Sequence, residues 1–240
     1  MAERLLRSGH RVVITGRRAE PLESAALRLG RDTGGTVHAL VNDVSEPKSA
    51  EAAVAGVESL LGALDVLVLN AGGPPPGSIL DVDDERWRQA FELLLLGPLR
   101  LARLALPRMA AQGFGRVVLT TSTAVRQPQP DLATSVVLRS AVTATAKLLS
   151  REFAAEGVTV NCVAPGATAT ERRREILDAR ARRTGASFAD LDAADAADIP
   201  AGRPARPEEI GAAVAFLASA DAGYINGTVL TVDGGRTETI

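Results

Sequence analysis

A chain of 240 residues that is 46% hydrophobic and 23% charged has enough apolar mass for one α/β domain, residues 1–240, around a buried core. Its formal net charge of −2 excludes the basic footprint of a nucleic-acid binder, and no apolar run reaches the ~18 residues that cross a bilayer. A single cysteine, Cys162, excludes an internal disulfide and, with no signal-peptide core after Met1-Ala2-Glu3-Arg4, points to the cytoplasm.

In chain order, Met1 to Gly9 reads as the second half of a helix closed by Gly9 as its C′ residue. Strand Arg11–Thr15, helix Pro21–Leu29, strand Thr36–Leu40, helix Lys48–Leu61 and strand Val66–Leu69 follow. A long helix is expected over Glu85–Ala111, with Asp83 and Asp84 as caps, then strand Gly115–Thr120 and helix Val136–Glu156. Strand Val158–Val163, a charged helical stretch near Glu171–Arg183, helix Pro207–Ala218 and strand Thr228–Val232 complete the pattern. Short β-branched runs alternating with helices are the mark of βαβ units on a parallel sheet covered on both faces.

Three segments carry a family resemblance: Val66-Leu67-Val68-Leu69-Asn70-Ala71-Gly72-Gly73, Thr159-Val160-Asn161-Cys162-Val163-Ala164-Pro165-Gly166, and Gly223-Tyr224-Ile225-Asn226-Gly227 running on to Asp233-Gly234-Gly235. In this order they resemble the short-chain dehydrogenase/reductase family over the whole chain. The resemblance implies a Rossmann-like doubly wound α/β fold and an oxidoreductase that uses a nicotinamide dinucleotide. In that family a further strand and a glycine-rich turn precede the first helix, and neither stands in this sequence. The missing strand belongs between those matching Arg11–Thr15 and Val66–Leu69, and its loss strips ladder bonds from both. The working protein is therefore expected to carry an upstream strand and glycine loop.

The resemblance also implies a cofactor site. Arg17 and Arg18 end the first strand, where relatives that prefer NAD often carry an acid, so NADP is expected ahead of NAD, and no cofactor if the glycine turn is truly absent. A solvated helix entry explains the two arginines equally well. Asp43 and Val44 fall where the family contacts adenine, although Asp43 as the cap of the next turn is an equal reading. Asn70, Ala71 and Gly72 form a small, flat turn that lets the backbone approach a ligand. Pro165, Gly166 and Thr170 match the segment over the nicotinamide. The sequence holds no metal-ligand pattern.

The catalytic set is altered. Ser122 takes the position of the family's substrate-binding serine, Ser135 falls where the proton-donating tyrosine belongs, and Arg139 falls where its partner lysine belongs. Leu94 replaces an asparagine of the proton relay, and Pro98 removes an N–H from the Leu94 carbonyl. The pattern resembles a divergent branch with a Leu-x-x-Ser-x-x-x-Arg segment in place of the tyrosine–lysine pair. Plain helix surface is the alternative for Ser135 and Arg139. Serine is a far poorer acid than tyrosine, and losing a positioned general acid costs about 10²–10⁴ in rate.

The stretch Glu171-Arg172-Arg173-Arg174 onward matches the family's variable lid, where the arginines either attract an acidic substrate or form a solvated helix face. Three functions stay open: NADP-linked carbonyl or alcohol oxidoreduction of a small molecule, a non-catalytic dinucleotide- or metabolite-binding homologue or partner subunit, and a non-redox enzyme using the same cleft. No nucleic-acid or membrane partner is expected. By resemblance the protein is expected to be a homotetramer, with a dimer next.

Overall fold

In the computed structural model, which describes residues 1–239, alternating strands and helices build parallel sheets with helices on both faces. Helix α1 (Ala2–Arg7) leads into β1 (Val12–Gly16), α2 (Ala19–Thr33), β2 (Val37–Val41), α3 (Ser49–Leu61) and β3 (Val66–Leu69). Then come α4 (Asp84–Phe91), a π-helical turn at Glu92–Leu96, α5 (Gly97–Gln112), β4 (Gly115–Thr120), α6 (Ala133–Glu152) and β5 (Val158–Pro165). The last elements are α7 (Glu171–Thr184), α8 (Phe188–Ala197), α9 (Pro207–Leu217) and β6 (Val229–Val232).

Period-two alternation sorts the strand side chains into two layers. Val117 and Leu119 of β4, with Val160 and Cys162 of β5, pack against Ala102, Leu106 and Met109 of α5 and Val142 and Ala146 of α6. Val118 and Val163 point the other way, onto Ile210, Val214 and Leu217 of α9. The buried Asn161 has a different task. Its Nδ2 donates to the Ile225 carbonyl at 2.7 Å and its Oδ1 accepts from Thr228 N–H at 3.1 Å. Asn226 answers by accepting from Val160 N–H at 2.9 Å and donating to the Ser150 carbonyl at 2.8 Å. These two asparagines satisfy a buried loop that would otherwise leave polar groups stranded, so the motifs around them hold β6 in the sheet.

The sheet is in two parts, β1-β2 and β3-β4-β5-β6, all pairs parallel. The free edges of β1 and β3 face a cleft of ≈ 540 Å³ lined by Val12–Thr15 on one side and Val66–Leu69 on the other. Contacts bridge the two parts: Leu5, Leu6, Val12 and Leu29 cluster with Ala218, and Ile14, Val66 and Val68 pack against them. The cleft lies between the two strands that the resemblance separates by one more strand.

Three local features differ from the sequence reading. The long helix is interrupted at Glu92–Leu96, where proline at 98 removes one donor and a wider i→i+5 turn carries the chain past it. Helix α8 was not expected; it lacks an apolar stripe, and the signal for it is the cap in which Ser187 Oγ accepts from Asp190 N–H at 3.1 Å. Helix α6 begins at Ala133, earlier than Val136, which puts Ser135 inside its first turn. Asp83 caps α4 as expected, accepting from Arg86 N–H at 2.8 Å. No helix among the described residues is long and apolar enough to cross a membrane.

Candidate active site

The carboxyl ends of β3, β4 and β5 open onto a cavity of ≈ 540 Å³. The turn Asn70-Ala71-Gly72-Gly73 forms one wall, Thr120 to Thr123 the floor, and Pro165, Gly166, Thr168 and Thr170 another wall. Helix α6 brings Ser135 and Arg139 into the same space, because residues four apart share one helix face. Nine of the residues singled out in the sequence therefore meet here: Ser122, Ser135, Arg139, Asn70, Ala71, Gly72, Pro165, Gly166 and Thr170.

Ser122 sits in extended conformation at the end of β4, and its Oγ accepts from Ala124 N–H at 3.1 Å. That contact uses the oxygen as acceptor and leaves the hydroxyl proton free to donate. Arg139 is only 9% exposed. Its guanidinium donates to the Thr120 carbonyl and, at 3.3 Å, to the Ala71 carbonyl, joining the ends of β4 and β3. Burial, together with the nearby charge of Arg172, lowers its pKa to about 10. It still carries its charge at neutral pH.

The mouth of the cavity is covered by α7, which contributes Arg172, Arg173 and Arg180. Arg172 donates to the Pro74 carbonyl at 2.5 Å and lies so close over Gly73 that a Cβ there would stand 2.7 Å from its Nε. Arg173 pairs with Asp192 and Asp195 of α8, and Asp195 also binds Arg236 of the C-terminal tail at 2.7 Å. Arg180 grips Asp131 with two hydrogen bonds of 2.9 and 3.2 Å. Burial alone would raise Asp195 and Asp131, but these arginine contacts outweigh it and hold both below the usual carboxylate range. The arginine run of the sequence is thus divided. Arg172 and Arg173 face the cavity, while Arg174 is exposed with Asp178 at 4.0 Å. Sequence reasoning missed Arg180, Asp195 and Arg236; their only signal was the excess of arginine and aspartate in this region.

Four expected residues lie outside this cavity. Arg17 and Arg18 follow β1, Asp43 and Val44 follow β2, and Asn42 N–H bonds the Gly16 carbonyl at 3.0 Å to set these two strand ends side by side. Asp43 accepts from Ser45 through its hydroxyl at 2.6 Å and its N–H at 3.0 Å. The Ser45 hydroxyl and, to a smaller degree, the charge of Arg17 lower its pKa. The β1–β2 pairing sets Arg17 and Asp43 at neighbouring strand ends, as two residues of one adenosine-side cluster would require.

No tyrosine, histidine or lysine among the described residues lines the cavity. Tyr224 is fully exposed in the loop before β6. Leu94 is buried with Ala90 and Leu138, in the apolar contact between α6 and the helix that precedes α5.

A family model described as Enoyl-(Acyl carrier protein) reductase matches residues 1–237. Dehydrogenase/reductase SDR family member 4 of Bos taurus is 32% identical over 236 residues, covering 98% of this chain and 81% of that protein. The 3-oxoacyl-(acyl-carrier-protein) reductase FabG of Haemophilus influenzae is 32% identical over 235 residues, 98% of this chain and 91% of that one. Among solved structures, an actinorhodin polyketide ketoreductase with NADPH superposes with a TM-score of 0.95 at 31% identity, over 99% of this chain and 92% of that one. L-sorbose reductase from Gluconobacter frateurii, complexed with NADPH and L-sorbose, gives 0.92 at 30% identity, over 100% and 91%.

Proposed function

Because the chain belongs to the short-chain dehydrogenase/reductase family of oxidoreductases, we propose that it performs NADP-linked reduction of a small-molecule carbonyl, or the reverse oxidation of an alcohol, with a catalytic set that has diverged from the tyrosine–lysine pair. The observation that carries this reading is the convergence of Ser122, Ser135 and Arg139 on the cavity walled by Asn70–Gly72 and Pro165–Thr170.

The residues fit most of a nicotinamide dinucleotide. Arg139, Pro165, Gly166 and Thr170 would hold the nicotinamide riboside. A Cβ on Gly72 would meet nothing within 4 Å, so the Asn70-Ala71-Gly72 turn has open space before it for close approach. Arg17, Arg18, Asp43 and Val44 would border the adenosine end, and the NADPH named with two of the solved relatives supports NADP. Among the described residues, no glycine turn opens a helix with the spacing that cradles a pyrophosphate.

NADPH would supply a hydride, with its electron pair, to the carbonyl carbon. The chain's own part is to place and polarise that carbonyl. The free Ser122 O–H donates to the carbonyl oxygen, and the Arg139 guanidinium steadies the negative charge that grows there. The remaining proton comes from the Ser135 hydroxyl or a water, replenished from solvent. Without a tyrosine at 135, turnover is expected about 10²–10⁴ below that of a complete set.

Among the described residues, a cavity lining of serine, threonine and arginine with no tyrosine, histidine or lysine favours a second reading, a non-catalytic dinucleotide or metabolite binder or partner subunit. NADPH consumption by the parent and by the Ser135→Tyr/Arg139→Lys double variant separates the two. Measurable turnover in the parent supports reduction with an alternative proton source. NADPH binding with turnover in the double variant alone means a binder that has lost the reaction, and no NADPH binding in either overturns the reductase and dinucleotide-binder readings and leaves a metabolite binder or partner subunit.

A further inference from the structure

The arginines around the cavity are not equally neutralised. Arg173 has Asp192 and Asp195, Arg236 has Asp195 and Asp198, and Arg180 has Asp131. Arg139 touches no carboxylate; its contacts are two backbone carbonyls. Arg172, near enough to repel it, has only Glu175 at 3.2 Å, and that side chain is 58% exposed and screened by water. The corner between Arg139 and Arg172 thus holds about one uncompensated positive charge. It also holds unused donors. A guanidinium has five N–H groups, and each of these arginines donates two hydrogen bonds.

We propose that the cavity takes a small carboxylic acid, with its carboxylate between Arg172 and Arg139 and its apolar body against Leu132, Ile176 and Ile210. This rests on the reading of the cavity as the substrate site of a reductase and names the substrate class. A carboxylate matches the planar guanidinium fork, and its single charge matches the single charge left unpaired; a dianionic phosphate would exceed it. A volume of ≈ 540 Å³ is within the usual range for small ligands, and Leu132, Ile176 and Ile210 give its lining an apolar component beside the arginines. An anion of the dinucleotide is the competing source, and the arms with and without NADPH separate it from the substrate. Arg172 reaches from the covering helix to Gly73 and Pro74, beyond the Asn70–Gly72 turn and away from the β1 and β2 ends that carry Arg17 and Asp43.

Calorimetric binding of phenylpyruvate and of its neutral methyl ester, each with and without NADPH, tests this. The acid is expected to bind about 10- to 100-fold more tightly than the ester, the range for hydrogen bonds made to a charged partner. Arg172→Met should erase that preference while leaving NADPH affinity within about threefold, and Arg172→Lys should retain part of it. The proposal is overturned if the acid fails to bind, if the ester binds as well, if the preference survives in Arg172→Met, or if that variant weakens NADPH as much as the acid. Acid binding without NADPH oxidation would uphold the charge assignment and remove the reductase reading. Reduction of the ester with equal affinity would do the reverse.

Discussion

Replacing Gly97 with alanine sets two effects of opposite sign against each other. Gly97 opens α5 in the middle of a continuous helical run, so alanine should gain about 1 kcal/mol of helix propensity. Yet a Cβ at this position would stand 2.0 Å from the Val44 carbonyl oxygen and 3.0 Å from that of Glu92, and both are backbone atoms. Relief requires roughly 1 Å of main-chain movement, because carbon and oxygen do not approach that closely. Overpacking of this kind costs about 1–3 kcal/mol, and a backbone clash lies at the upper end. The net expectation is a loss of about 1–2 kcal/mol, or roughly 2–8 °C in midpoint for a chain of this size. Thermal and urea unfolding of Gly97→Ala beside Gly72→Ala provides the assay. The second variant places its Cβ in open space and should stay within about 0.5 kcal/mol of the parent. Because Val44 borders the proposed adenosine end, NADPH affinity should fall in Gly97→Ala as well. A Gly97→Ala protein as stable as the parent would refute the packing argument.

The lid should loosen in acid. Asp195 and Asp131 have depressed pKa values in the folded state, so their stabilisation is fully present above the unfolded carboxylate range and is lost as pH falls below about 4. Asp195→Asn should flatten that part of the stability–pH curve, and an unchanged curve would count against the Arg173–Asp195–Arg236 link. Strands β1 and β3 each have one unpaired edge, so hydrogen exchange should run faster in both than in β4 and β5, which are bonded on two sides; equal protection would mean the cleft is closed in solution. The expected homo-oligomer predicts that exposed apolar groups on α6 are covered. Val137 and Leu148, eleven residues apart and so on one helix face, are 46% and 69% exposed in the isolated chain. The double change to aspartate should reduce the mass found by light scattering, whereas a parent protein that is already monomeric would rule the assembly out.

Much of the site was legible because its parts are local. Ser135 and Arg139 lie four residues apart on one helix, so the register that places one places the other. Ser122 and the turn Asn70–Gly72 each end a strand, and the ends of neighbouring parallel strands necessarily meet. Asp43 shows where local reasoning ends. Arg17, whose charge acts on its carboxylate, lies a strand and a helix away, and the pairing of β1 with β2 brings the two strand ends side by side. The lid shows the same limit, since Arg173, Asp195 and Arg236 converge from α7, α8 and the tail.

Alternating β-branched runs and helical patterns were sufficient to establish the α/β order, because strand and helix periodicities are written in near neighbours. The caps at Asp83 and Gly9 likewise depend on a few adjacent residues. Tertiary structure decided the rest. Which arginines are neutralised, where a π-turn relieves Pro98, and how Asn161 and Asn226 tie β5 and α6 to the loop before β6 all depend on groups distant in the chain. The cleft between β1 and β3 was anticipated by the family resemblance, which leaves a strand missing there, but not by the strand sequences themselves. A strand carries the same sequence whether one edge is paired or two, and only the arrangement of its neighbours reveals which.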